Sequence, residues 1–199
     1  MKEDAALGIL NPHLEKLASS VVRGFEIYRT RYPHRPIHRR TTSANVMCDE
    51  IWAAIINTFC DDAPQVKPIE QPHGLRLLGI QGPTGETEIL LWFKKVDSGR
   101  RPRSLLTGRS QKMLKGENLE MFKSATTLVV GHHLNREENR ILSISITRLL
   151  MGKADWYFDL ELPDAPSNLM QLPEKSPQAP SSTRVVVKRV GQQRLGDGS

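Results

Sequence analysis

The sequence predicts an α+β domain in which two N-terminal helices are followed by a mainly antiparallel sheet of about five strands. Apolar residues recur at helical spacing over residues 11–60. From Gly74 onward they form short runs that are rich in β-branched and aromatic side chains, as strands do. After Pro163 the composition turns to proline, serine and glutamine, which predicts disorder. We therefore expect one domain over residues 1–162 and a basic, disordered tail over residues 163–199.

Two helices are predicted in the N-terminal part of the domain. The first covers residues 11–30, because Asn11 suits an N-cap and Pro12 suits the first helical position. The second covers residues 44–60, where the apolar stripe is broad enough for a helix that is buried on much of its surface. Prolines in the segment between them, residues 31–42, stop the first helix and predict an extended basic linker.

Five strands are predicted in the remainder of the domain, over residues 74–80, 87–96, 126–134, 139–149 and 154–162. Short turns join the first two strands to each other and the last three in series, which favours antiparallel neighbours. An irregular basic stretch, residues 97–124, separates the second strand from the third. In the last strand, alternation places Trp156, Phe158 and Leu160 on one face and acidic residues on the other.

Composition excludes several classes of protein. The longest uncharged apolar run, Ile141–Ile146, is far shorter than the ~20 residues that a membrane-spanning helix needs. The first residues lack the sustained apolar segment of a secretory signal, and we expect no membrane partner. Two cysteines, Cys48 and Cys60, are too few for a disulfide scaffold and favour the reducing cytoplasm.

Positive charge is clustered in two segments of a chain that has 28 Lys plus Arg against 22 Asp plus Glu. Residues 23–40 hold six arginines against one acid, Glu26, and residues 94–115 hold eight cations against one acid, Asp97. Clustering of this kind favours a polyanionic partner, because each cation that contacts a phosphate releases a counterion. The residues predicted to contact nucleic acid are Arg29, Arg31, Arg35, Arg39, Arg40, Arg100, Arg101, Arg103, Arg109 and Lys112.

Two other function classes compete with nucleic-acid binding. The basic surface would also suit an acidic protein partner, with residues 184–190 of the tail adding a strand on binding. A metal-dependent nuclease would use the acidic face of the last strand, where Asp155, Asp159 and Glu161 are candidate catalytic residues. However, no lysine or histidine accompanies these acids at the fixed spacing that such a site needs.

The sequence therefore favours a non-enzymatic protein that contacts the phosphates of DNA or RNA, since arginine suits phosphate geometry. We assign no catalytic residue, no metal site and no cofactor. Adjacent histidines at 132 and 133 would face opposite sides of a strand and cannot readily share a metal ion. A long strand edge would permit a homodimer.

Overall fold

The structure is a computed structural model, in which the described residues are 1–33, 40–62, 65–71, 75–83, 85–102 and 124–163. For residues 40–42 and for Gln71 only the backbone is described. Much of the linker between the predicted helices and most of the basic stretch 97–124 therefore lie outside the described residues. The same holds for the tail beyond Pro163, including the segment 184–190.

Among the described residues, three α-helices form the N-terminal part: α1 over Glu3–Leu10, α2 over Leu14–Arg31 and α3 over Arg40–Phe59. A 3-10 turn over Asn11–His13 joins α1 to α2, and another follows α3. The prediction of Asn11 as an N-cap was wrong, because this residue caps the C-terminus of α1 instead. Helix α3 also begins earlier than expected, so that residues 40–42 belong to a helix and not to an extended linker.

Six strands follow in the described part of the chain: β1 over Val66–Gln71, β2 over Leu75–Gln81, β3 over Thr87–Val96, β4 over Thr126–Leu134, β5 over Ile141–Leu150 and β6 over Lys153–Leu160. They form one sheet in the order β1-β2-β3-β4-β5-β6. All neighbours are antiparallel except β3 and β4, which are parallel. The predicted α+β class, with helices preceding a mainly antiparallel sheet, is confirmed.

The strand that the sequence did not predict, β1, lies at the edge of the sheet. Proline has no backbone N–H to donate to a neighbouring strand, yet Pro68 lies within β1, opposite Leu78 of β2. An edge position permits this, because an edge strand pairs on one side only. The parallel pairing of β3 with β4 follows from the long connection between them, since parallel neighbours need a crossover.

The helices pack on one face of the sheet and form the main core with it. Alternate strand positions, among them Leu91, Ile146 and Phe158, contact the buried faces of α1, α2 and α3. The predicted alternation in the last strand is confirmed, because Trp156, Phe158 and Leu160 are all buried in this core. The opposite face of the sheet carries a second, smaller buried cluster that includes Trp92.

Helices α2 and α3, which we call the helical hairpin, determine which parts of the chain meet at each end of the sheet. Arg31, at the end of α2, pairs with Glu50 of α3, and the adjacent Asp49 pairs with Arg76 near the start of β2. At the other end, Lys16 pairs with Asp62, 2.6 Å away. The end of α2 therefore lies at the end of the sheet where β3 and β4 finish. None of the described helices combines the length and the apolar character needed to cross a membrane.

Candidate functional site

The described part of the first basic segment lies at the end of α2. Arg29 is exposed, whereas the Arg31 guanidinium lies 3.0 Å from Glu50 Oε1 and is neutralised by it. The rings of Tyr28 and Tyr32 lie 5.8 Å apart beside these arginines. Arg40 begins α3, with its side chain outside the described residues, and the predicted contact residues Arg35 and Arg39 also lie outside them.

The described part of the second basic segment is a tight turn after β3. The Arg100 backbone N–H donates to the Asp97 carbonyl at 3.0 Å, and the Arg101 N–H donates to the Asp97 carboxylate at 2.9 Å. Arg100 has a φ of 60°, in the left-handed region that non-glycine residues seldom adopt. The turn therefore presents Arg100 and Arg101 in different directions, and Arg101 is exposed.

Arg100 is anchored to the sheet on the face opposite the helices. Its guanidinium donates to both carboxylate oxygens of Asp159, at 3.2 and 2.6 Å, and lies 3.8 Å from the centre of the Tyr157 ring. A two-point arginine–carboxylate contact is among the stronger ion pairs, and stacking on the ring adds to it. Arg100 therefore holds the turn against β6, and its charge is already matched by Asp159.

Replacing Arg100 by alanine should destabilise the protein by about 2 kcal/mol, because it leaves the partly buried Asp159 carboxylate without its partner. Replacing the exposed neighbour Arg101 by alanine is the matched control and should change stability by less than about 0.5 kcal/mol. Urea denaturation of both variants measures the difference. Equal midpoints for the two variants would contradict the anchoring role of Arg100.

The remaining predicted contact residues of this segment, Arg103, Arg109 and Lys112, lie outside the described residues. The start of the second basic segment is described, and it lies at the carboxyl end of β3. The end of α2 lies at this same end of the domain. The structure therefore brings the described portions of the two basic segments to one end, although Arg100 is on the opposite face of the sheet from Arg29.

Several of the cations at this end are neutralised. Besides Arg31 and Arg100, Arg76 pairs with Asp49, and the Lys95 ammonium lies 2.6 Å from Glu138. Other cations here have no carboxylate partner among the described residues. We call this set the cationic end; it consists of Arg29, Lys94, Arg101 and, in the turn between β4 and β5, Arg136 and Arg140.

The acidic residues considered for a nuclease are distributed among separate partners. Asp159 pairs with Arg100, and Asp155 lies 3.2 Å from Arg148, whose guanidinium also donates to the Met1 carbonyl at 2.7 Å. Glu161 is exposed, just beyond the end of β6. Among the described residues there is no group of three or more His, Cys, Asp or Glu side chains placed to hold a metal ion.

A cavity of about 370 Å³ opens beside the cationic end, between α3, the start of β2 and the second half of β3. Its lining combines aromatic, polar and charged side chains, namely Asn45, Cys48, Asp49, Trp52, Arg76, Trp92, Phe93 and Lys94. The pairing of β2 with β3 ends at Leu77 and Trp92, so that beyond this point β3 continues alongside β4 only. This divergence of β2 from β3 makes room for the cavity.

Lys94 is one of the lining residues, and its ammonium lies 4.8 Å from the centre of the Trp92 ring. Burial lowers the pKa of Lys94 below the ordinary lysine value, and a smaller opposing effect comes from the Cys48 thiol. Burial also raises the pKa of the Cys48 thiol, an effect that the nearby Lys94 ammonium partly opposes. The lining of the cavity therefore includes both a cationic side chain and a thiol.

Sequence reasoning assigned no role to the lining of this cavity. Cys48, Trp52 and Phe93 are apolar side chains within the apolar runs of a predicted helix and a predicted strand, so the sequence pattern alone indicates core positions for them. The signal for a pocket is the contact between α3 and β3, which depends on pairings between distant parts of the chain. Periodicity along a single element does not contain that information.

Comparison with protein-family models, with curated proteins and with solved structures found no significant match for this chain.

Proposed function

We propose that this protein binds nucleic acid without acting on it chemically, and that the cationic end contacts the phosphate backbone. The observation that carries the proposal is the clustering of cations without described carboxylate partners where β3 and β4 end. Phosphate contact by Arg and Lys is largely independent of base sequence. The proposal therefore concerns affinity for DNA or RNA in general, and names no sequence target.

Arginine is well suited to this role, because its planar guanidinium offers paired donors to two phosphate oxygens. Arg29 and Arg101 are exposed and belong to segments that lie at the same end of the sheet. A nucleic-acid strand that passes over this end of the protein would contact both arginine side chains. The two cysteines are free thiols, which favours a reducing compartment such as the cytoplasm.

Salt dependence tests the proposal. The affinity for a mixed-sequence single strand and for a duplex, measured by fluorescence anisotropy, should fall steeply with ionic strength, because bound cations on the nucleic acid are released. The slope of log affinity against log salt should be about −0.7 per phosphate contact for the single strand and about −0.9 for the duplex. No binding of either at low salt would refute the proposal.

A double variant locates the contact surface. Arg29→Ala with Arg101→Ala should weaken binding by about tenfold or more and make the salt slope shallower by about 1.4 for the single strand and about 1.8 for the duplex. Lys67→Ala with Lys153→Ala is the matched control, since both lysines are exposed and lie at the opposite end of the sheet. An equal loss from the two double variants would indicate attraction by overall charge and contradict a localised interface.

A competitor separates nucleic acid from an acidic protein partner. Polyglutamate matches the charge of a nucleic-acid strand but lacks phosphates in a backbone and bases that stack. We expect it to compete weakly at equal charge. Competition as strong as that of the nucleic acid would favour the alternative of an acidic protein partner.

A further inference from the structure

The cavity beside the cationic end has features that backbone binding alone does not use. Its volume of about 370 Å³ is within the ~300–1,000 Å³ range of sites for small organic ligands. It is much larger than the ~30 Å³ that one water molecule occupies in the liquid. The space therefore suits a ligand considerably larger than a single inorganic ion.

The charges around the cavity favour an anionic group. Lys94 has no carboxylate partner among the described residues, and its ammonium is half-buried. The carboxylate in the lining, Asp49, is paired with Arg76, so that these two charges largely cancel. A bound anion would complete the neutralisation of Lys94 in a setting where water screens the charge poorly.

The apolar part of the lining favours a flat ring. Trp52, Trp92 and Phe93 all contribute to the lining, but Trp52 and Trp92 are only 5% and 2% exposed, so that the partly exposed aromatic side chain is Phe93. The Trp52 and Phe93 rings lie 6.2 Å apart at an angle of 56°. The Trp52 indole is held in place, because its Nε1–H donates to Glu70 Oε1 at 2.8 Å. The exposed Asn45 amide at the cavity offers both a hydrogen-bond donor and an acceptor, as recognition of a base edge requires.

We propose that this cavity binds one nucleotide unit, with its phosphate at the Lys94 ammonium and its base against Phe93. The inference rests on the proposed function, because a strand held by the cationic end would carry such units past the cavity. The same chemistry is present in a free nucleoside monophosphate. The experiment therefore includes both a free nucleotide and a strand.

Isothermal titration calorimetry with adenosine monophosphate, up to about 10 mM, tests the cavity directly. Two of the three tryptophans line it, so that bound nucleotide should also change tryptophan emission. Lys94→Met removes the charge and keeps a flexible apolar chain over Trp92. It should weaken adenosine monophosphate binding by about tenfold or more, since a charge-assisted contact is lost.

Three comparisons make the result specific. Lys153→Met, at the opposite end of the sheet, should leave the affinity for adenosine monophosphate unchanged. Adenosine, which lacks the phosphate, should bind more weakly than the monophosphate and equally to the natural protein and to Lys94→Met. Asn45→Ala, at an exposed position, should weaken binding by about threefold and provides a second variant should Lys94→Met fail to fold.

Failure of this inference differs from failure of the proposed function. If a single strand binds the natural protein and Lys94→Met equally, and the monophosphate does not bind, the cavity inference is wrong and backbone binding stands. If the monophosphate binds through Lys94 but no strand binds, the cavity is a site for a free nucleotide and the proposed function is wrong. Monophosphate binding that neither Lys94→Met nor Asn45→Ala weakens would overturn the cavity inference.

Discussion

Replacing Gly24 by valine should destabilise the protein by about 3 kcal/mol, the upper part of the usual range for overpacking a core. At Gly24, α2 packs closely against the backbone of α3. A Cβ atom at this position would be 2.4 Å from Ile51 Cα and 2.8 Å from the Glu50 carbonyl oxygen, and both neighbours are backbone atoms. Because backbone cannot yield as a flexible side chain does, the two helices would have to move apart.

Moving α2 and α3 apart would displace both ends of the helical hairpin. It would loosen the packing of α2 and α3 against the sheet, and α3 supplies Cys48 and Trp52 to the cavity. We therefore expect Gly24→Val also to weaken nucleotide binding, although Gly24 does not line the cavity. Gly24→Ala should destabilise the protein less, because the higher helix propensity of alanine offsets part of the steric conflict.

The control for this prediction is Gly8→Ala in α1. A Cβ at Gly8 would have no atom within 4 Å, and the residue is exposed in a helix. The substitution should leave stability unchanged or raise it by up to about 1 kcal/mol. Denaturant unfolding with linear extrapolation measures both variants. A midpoint for Gly24→Val equal to that of the natural protein would mean that the helices do not cross this closely.

The sequence predicted elements well where a single periodicity controls them. Residues 14–31 form one helix because their apolar positions repeat at helical spacing, and five of the six strands were predicted from runs of β-branched residues. Two elements, β1 and α1, were not predicted, and a proline explains each case. Pro68 lies within β1, where a proline is not typical of a strand. Pro12 suggests the start of a helix, whereas it belongs to the 3-10 turn that follows α1.

The candidate site was harder to predict, because it depends on pairing between segments distant in the chain. Composition identified two arginine-rich segments, but it could not indicate that Glu50 and Asp159 neutralise Arg31 and Arg100. Those pairings follow from helix packing and strand order. Similarly, the approach of α2 to α3 at Gly24 requires the register of two helices, and no feature within α2 specifies it.

His132 should make the stability of this protein fall as the pH decreases through the mildly acidic range. It lies in β4 opposite Ile144 of β5, is only 2% exposed, and its Nε2 has no hydrogen-bond partner among the described residues. Burial, and to a lesser extent repulsion from the Lys95 ammonium, lower the pKa of His132 from 6.5 to about 3. The imidazole is therefore neutral in the folded protein at pH values where it is protonated in the unfolded chain.

The direction follows from proton binding in the two states. Between pH 6.5 and about 3 the unfolded chain binds more protons at His132 than the folded protein does, so that stability decreases as pH falls. Each pH unit in this window should reduce the free energy of unfolding by about 1.4 kcal/mol, which amounts to about 2 kcal/mol at pH 5. Above pH 6.5 this contribution should be constant.

His132→Leu isolates the effect, because carboxylates elsewhere in the chain also titrate during acidification. The difference in unfolding free energy between the natural protein and this variant should grow steadily as the pH is lowered from 7 to 4, in favour of the variant. Lys95→Met should reduce the effect, since loss of the ammonium allows the pKa of His132 to rise toward its ordinary value. A pH-independent difference between the natural protein and His132→Leu would mean that the imidazole is accessible to protons in the fold. The helices would then have to pack on β4 more loosely than the structure describes.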